Sequence, residues 1–246
     1  MPELCDCLGF RYLQESKFHR EDEGMRLRPA IADTEVFKTY SGAAIVELPR
    51  IWPQSGCSLP ELLQQRRSLR RFGDRELSLD GLAFLLWASQ GITGQAGNYL
   101  FRTSPSAGAL YPLETYLAVY RVSGLTPGLY HLDVEGFRLE RLGDGPSGEQ
   151  LAEACLGQGF MRNAAVNFLW TAVVRRTMSK YGHRALRYIC MDAGHLCQNL
   201  LLAAEFLGFG GCPMAAFYDD EVNRLLGVDG QEESTLYLAS VGARRE

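Results

Sequence analysis

The stretch from Ala185 to Phe209 limits the possible folds more than any other part of this chain. By length alone it would cross a bilayer, but Asp192, His195, Gln198, Asn199 and Glu205 interrupt it on several faces, so it reads as a buried helix of a soluble protein. The helical pattern opens at Ser179 and ends at Leu207-Gly208-Phe209-Gly210-Gly211, a helix of about thirty residues. An apolar helix that long has to be enclosed, either by its own domain or by a partner subunit. The chain is large enough to enclose it. Its 246 residues are 46% hydrophobic and 22% charged, and a compact fold of that size buries roughly 70–75% of the surface its unfolded chain exposes. A net charge of −4 without a long run of one sign argues against nucleic acid or an anionic membrane as the main partner.

Between Met1 and Arg20 the apolar residues are broken by Glu3, Asp6, Arg11 and Glu15, and no A-x-A site follows. No export signal is visible there, which makes the cytoplasm the expected location. Seven scattered cysteines, with Cys5-x-Cys7 as the only close pair, offer no C-x-x-C spacing and no matching histidines for zinc, so no metal site is expected. Cys190 and Cys197 stand seven apart on one helix face, where buried reduced thiols are expected.

Residues 1–57 lack sustained periodicity until the strand-like run Ala43 to Leu48, and read as an arm preceding a domain at 58–246. Ser58-Leu59-Pro60-Glu61 is a capping box that starts a helix carried through Arg70 by Leu62, Leu63 and Leu69. A second helix runs from Ser78 to Gly91, followed by a polar loop to Arg102. Leu113 to Val122, Gly128 to Asp133 and Phe137 to Leu142 suggest a meander, and Ser147 with Gln150 caps a third helix. Ala165 to Val174 is a nearly continuous apolar strand. After the long helix come a strand near Cys212 to Phe217, a helix from Asp219 to Leu226 and a last strand from Thr235 to Val241. The mixture is α+β around one sheet.

Three segments carry chemistry. Arg66 and Arg70, four apart on one predicted helical face with Ser68 beside them, suit a phosphate monoester; a solvated basic helix end is the plainer alternative. Ser104 to Pro112 is bracketed by prolines and filled with small residues, so its backbone could lie against a flat ligand or simply lead into the next strand. Lys180 is one of three lysines among 25 basic residues. Where arginine serves nearly everywhere else, a lysine is a candidate base, because arginine cannot release its proton. A surface lysine is the alternative, and Tyr181 is either its hydrogen-bonding partner or an aromatic anchor. His183 and His195, separated by about 18 Å along one helix, cannot share a metal there. No G-x-S-x-G elbow, Walker loop or G-x-G-x-x-G opening a βαβ unit is present.

The order of these features resembles the FMN-dependent nitroreductase superfamily, and within it the SagB-type dehydrogenases, which include the azoline oxidases of thiazole- and oxazole-modified peptides. Arg66 to Arg70 resembles the family's R-R-S-x-R segment and Pro105 to Pro112 its P-S-A-G-A-x-Y-P segment. Gly128-Leu129-Tyr130-His131 resembles P-G-L-Y-x-Y, and Lys180-Tyr181-Gly182-His183-Arg184 with Arg187-Tyr188 resembles K-Y-G-x-R-x-x-R-Y. Gly194-His195 and Gln198-Asn199-Leu200 fit the long helix.

The resemblance implies a nitroreductase-like fold, a mostly antiparallel sheet flanked by helices, and a homodimer built on the long helix with two FMN sites at the interface. It implies that Arg66, Arg67, Ser68 and Arg70 hold the FMN phosphate and ribityl chain, with Arg244 or Arg245. Pro105, Ser106 and Gly108 would lie against the isoalloxazine from the other subunit. Met214, Ala215 and Ala216 would pass behind it, one alanine amide donating to flavin N5. Lys180 matches the base, and Tyr181 its helper, of azoline oxidases. Two alternatives stand beside that dehydrogenase: a ping-pong reductase in which NAD(P)H reduces FMN and a nitroaromatic or quinone reoxidises it, and a non-catalytic flavin-binding or interaction subunit.

Overall fold

The computed structural model describes residues 7–19, 35–54, 57–97 and 99–245. Cys5, and with it the Cys5-x-Cys7 pair, lies outside them. Helix α1 (Leu8–Glu15) and strand β1 (Ala44–Glu47) come first. Helix α2 (Leu59–Gln65) starts at its capping box, where Ser58 N donates to Glu61 Oε2 at 2.7 Å. Short strands β2 (Phe72–Gly73) and β3 (Leu77–Ser78) lead to α3 (Leu79–Gln90), capped by Ser78 Oγ accepting from Gly81 N at 3.0 Å. Then follow β4 (Ile92–Ala96), β5 (Tyr99–Arg102), β6 (Leu113–Val119), β7 (Val122–Ser123), β8 (Gly128–Asp133) and β9 (Arg138–Gly143). The chain continues through α4 (Gly148–Ala154), β10 (Val166–Val173), α5 (Val174–Tyr181), α6 (Ala185–Phe206), β11 (Phe209–Met214), α7 (Asp219–Leu226) and β12 (Glu233–Arg244).

One sheet organises the molecule in the order β1-β9-β8-β6-β10-β12-β11, with β2 added to β12, and all its pairings are antiparallel. The apolar run Ala165 to Val174 becomes its central strand, β10, which reads as nearly continuously hydrophobic, with Asn167 and Thr171 as its polar residues, because both faces are covered. Phe168 and Trp170 point into one core with Leu82, Leu86, Ile189 and Leu200 of α3 and α6. Leu169 points to the other, with Leu151 of α4 and Val222 of α7. Helices therefore flank both faces, as in the expected nitroreductase-like α+β arrangement.

The thirty-residue helix is not continuous. Gly182 takes φ 53° and ψ −133°, which ends α5, and a 3₁₀ turn at Gly182–Arg184 separates it from α6. Lys180 and Tyr181 thus close a short helix instead of opening the long one. Phe209, the last residue of the apolar stretch, is already in β11. The expected loop after α3 is a β4–β5 hairpin. Cys197 is buried, with Tyr237, Cys212 and Arg66 nearby, whereas Cys190 is exposed, so the two do not share a buried face.

The segment before Ser58 contributes edge strand β1 and a clamp on the start of α6. The N–H of Arg187, one of the donors left over in the first turn of α6, donates to Tyr12 Oη at 2.9 Å. Arg184 Nη1 donates to Ser16 O, and its guanidinium lies 4.5 Å from the Phe18 ring centroid.

Two changes test these joints. A Cβ at Gly182 would meet nothing within 4 Å, so Gly182→Ala should lower unfolding stability by about 1–3 kcal/mol through backbone conformation alone. Tyr12→Phe should cost about 1 kcal/mol by leaving the Arg187 N–H without its acceptor. Chemical denaturation measures both, and unchanged midpoints would contradict them.

Candidate active site

Helix α2 stops at Gln65 because the next residues pair with β11 instead. Arg66 leaves helical geometry, Leu69 N donates to Gly211 O at 2.9 Å, and Ser68 bridges Gly211. The expectation that Arg66 and Arg70 share a helical face is therefore corrected: a sheet hydrogen bond replaces the helical ones, and Arg66, Arg67, Ser68 and Arg70 lie along an extended strip. Leu69 anchors it on Gly210, where a Cβ would fall 2.7 Å from Leu69 Cδ2. None of the three guanidiniums is ion-paired with a described residue. Arg244 is committed elsewhere, bonding buried Glu205 of α6 through both carboxylate oxygens, 2.6 Å to Oε1. Arg245 Nε donates to Phe72 O at 3.1 Å, close to the end of the strip. Met214 is buried at the end of β11, about 10 Å along that strand from Gly211. Ala215 and Ala216 follow, exposed.

The second group of candidate residues surrounds a cavity of about 560 Å³ lined by Tyr99, Phe101, Arg102, Ser106, Gly108, Lys180 and neighbours including Pro105 and Tyr111. A Cβ on Gly108 would lie 2.8 Å from Tyr181 Oη and 2.9 Å from Lys180 Nζ. Without a side chain at Gly108, both groups can approach the loop this closely. Burial, with Tyr188 and Asp192 nearby, pushes the Tyr181 phenol above its ordinary range, so it remains a proton donor at neutral pH. The arginine strip does not line this cavity. The loop is fastened to α6 at Asp192, and the strip, paired with β11, passes near Cys197, about 7.5 Å further along the α6 axis.

Sequence reasoning missed a buried charge network beneath the cavity. His131 Nδ1 lies 2.9 Å from Glu140 Oε2 and its Nε2 lies 3.1 Å from Glu114 Oε2, so these two contacts need two protons among three groups. Arg176 Nη1 lies 2.6 Å from Glu114 Oε1 and also donates to Tyr111 O at 3.2 Å, tying α5 to the loop one turn before Lys180. Burial alone would raise the Glu114 carboxyl; His131 and Arg176 outweigh it and hold the group below its usual range. The available signal was a charged residue inside each of three strands, Glu114, His131 and Glu140. Among the described residues no group of three or more His, Cys, Asp or Glu could hold a metal ion, and no helix is long and apolar enough to cross a membrane.

A large antiparallel sheet with helices on both faces is an arrangement this chain shares with known proteins. The sequence matches the Nitroreductase family over residues 63–243. The chain belongs to that family. It is 37% identical over 201 residues to a nitroreductase-family protein of Methanocaldococcus jannaschii, covering 82% of this chain and 97% of that one. It is 29% identical over 171 residues to the trifolitoxin-processing protein TfxB of Rhizobium leguminosarum bv. trifolii, covering 65% of this chain and 46% of the relative. A crystal structure of a nitroreductase-family protein from Anabaena variabilis superposes with TM-score 0.75 at 26% identity, over 96% of this chain and 47% of that chain. This chain thus spans about half the length of the Rhizobium and Anabaena proteins.

The charge network yields a prediction with a sign. The depressed carboxyl of Glu114 contributes stability above its unfolded value of about 4.5, and that contribution is lost as pH falls through the lower folded value. His131→Ala should cost about 3–5 kcal/mol near neutral pH by uncovering buried carboxylates. The gap to wild type should narrow in acid below that window. A gap that widens in acid would contradict the assignment.

Proposed function

We propose that this chain is an FMN-dependent oxidoreductase of the SagB type. It removes a proton and a hydride from a carbon–nitrogen ring in a small-molecule or peptide azoline-like substrate. It works in the cytoplasm as a homodimer, residues 1–57 serving as an arm on the FMN-binding domain at 58–246. The observation that carries this reading is the convergence of Lys180 Nζ and Tyr181 Oη on Gly108 at the wall of the 560 Å³ cavity.

The donor set fits FMN. Three guanidiniums without carboxylate partners and the Ser68 hydroxyl match a phosphate dianion. Arg245 supplies the C-terminal cation, since Arg244 is occupied by Glu205. Gly108 borders the cavity in which a flat ring would sit, and its missing side chain leaves room for Lys180 and Tyr181 to lie against the loop. Leu186, Cys190, Met191 and Gly194 form an exposed stripe on α6, Leu186 at 45% and Met191 at 52% exposure. That stripe is the surface on which two copies would pair in the proposed homodimer. The chemistry that FMN supplies when bound is hydride acceptance at its N5 position. Lys180 takes the proton from one substrate carbon; the electron pair left behind becomes the new double bond to the neighbouring ring atom, which loses the hydride with both electrons of its own bond to hydrogen. Tyr181 keeps its own proton and hydrogen-bonds the substrate heteroatom. Similarity to a trifolitoxin-processing protein supports the SagB-type reading.

Lys180→Ala should retain bound FMN and lose at least about 10²-fold in turnover of an azoline substrate. Full turnover in that variant would remove the base assignment. The extensive match to the Methanocaldococcus protein favours a second reading, a ping-pong nitro or quinone reductase using NAD(P)H. Rapid bleaching of bound flavin by NAD(P)H without oxygen would select it, and flavin that stays oxidised would count against it.

A further inference from the structure

Ser106 has one hydroxyl proton, and the structure spends it inside the protein. Its Oγ donates to Asp192 Oδ2 at 2.5 Å and accepts from Tyr111 N at 3.0 Å. The second oxygen of Asp192 accepts from Ala107 N at 3.3 Å. One carboxylate of α6, only 6% exposed, therefore holds the start of the loop directly and reaches its far end, Tyr111, through Ser106 Oγ.

That loop is strained. Gly108, Ala109 and Tyr111 take φ of 66°, 54° and 44°, and a bulky residue such as tyrosine rarely adopts a positive φ. Such backbone persists only where its surroundings over-determine it. Tyr111 is held at its N–H by Ser106, at its carbonyl by Arg176, and at its hydroxyl, which accepts from Arg102 N at 3.0 Å. Asp192 is the member of this set that fastens the arch to α6, and the apex of the arch is Gly108, against Lys180 and Tyr181. Burial raises the carboxyl of Asp192, while Ser106 and Ala107 oppose that rise by bonding its charged form.

We propose that Asp192 is a positioning residue for the reaction: through Ser106 and Ala107 it fixes the Gly108 arch against Lys180 and Tyr181, so that one buried carboxylate sets the bound ring and the base in register. The inference rests on the flavin reading above and goes further in one respect. The hydroxyl of Ser106 is a brace within the loop, and its proton is not available to the cofactor.

The experiment uses the FMN-loaded dimer and the variants Ser106→Ala, Asp192→Asn, Asp192→Ala and Ser106→Ala/Asp192→Ala. Three quantities are read: the FMN dissociation constant by calorimetry, the visible circular dichroism of the bound flavin, and the thermal midpoint. Ser106→Ala and Asp192→Ala should each weaken FMN binding about tenfold and reduce the flavin dichroism. Asp192→Asn, which keeps an acceptor oxygen, should recover part of both. The double variant should be little worse than the poorer single one, because both break the same bond. Leu132→Ala, a core change in β8, should lower the thermal midpoint and leave the flavin dichroism untouched. Variants that lose thermal stability but keep wild-type FMN affinity and dichroism would overturn the proposal, leaving Asp192 a structural cap. Ser106→Ala keeps the test open if Asp192→Ala does not fold. A wild-type chain that binds no FMN overturns the flavin reading itself, and this inference with it.

Discussion

Helix α6 is the support on which the other parts of the candidate site depend. Its buried face, with Ile189, Leu196 and Leu200, packs on the central sheet and locks the helix in place. From that fixed axis Asp192 reaches the glycine loop, Cys197 lies near Arg66, and Glu205 holds Arg244. Its first turn is closed by Tyr12. Residues far apart in the sequence are thus set relative to one another by a helix whose rise is fixed by its own hydrogen bonds. The cost of enclosing so apolar a helix is met on one side only, and the opposite stripe is left for a second copy in the proposed dimer.

A site for a flat ring needs a rigid wall, and this chain builds one from strain and buried charge together. The loop backbone is held in unfavourable conformations by groups that are themselves fixed. Arg176 is pinned by Glu114, Glu114 by His131, and His131 by Glu140. Arg102 lies 4.4 Å from the centroid of the Tyr111 ring, and burial lowers its pKa to about 10. Each member of such a set is expensive to bury alone and acceptable when its partners are present. The arrangement explains why Glu114, His131 and Glu140 can be buried within the sheet.

Much of the architecture was legible because local rules and tertiary packing agree. The capping boxes at Ser58 and Ser147, the continuous apolar strand at Val166–Val173 and the meander all follow from pattern and composition. The errors occur where tertiary contacts override the pattern. Gly182 breaks a run with unbroken helical periodicity, and β11 pulls Arg66 to Arg70 out of the helix that their spacing suggests. At the site, the scarcity of lysine picked out Lys180, and the small residues of 104–112 marked the loop. Asp192 escaped because a carboxylate inside an apolar helix looks like an interruption until the loop that it bonds is known. Ser106 lines the cavity, but a sequence cannot say where its hydroxyl sends its only proton.

The proposed FMN site, made by the arginine strip and the glycine arch, is tested by titrating the purified chain with FMN and following the visible absorbance. The account predicts saturable binding of one FMN per chain, with a perturbed flavin band at about 450 nm arising from the cofactor itself. Binding should weaken at least about tenfold in Arg70→Ala, which removes one charge-assisted contact to the phosphate. No saturable binding by the wild-type chain, or equal binding by the Arg70→Ala variant, would contradict it.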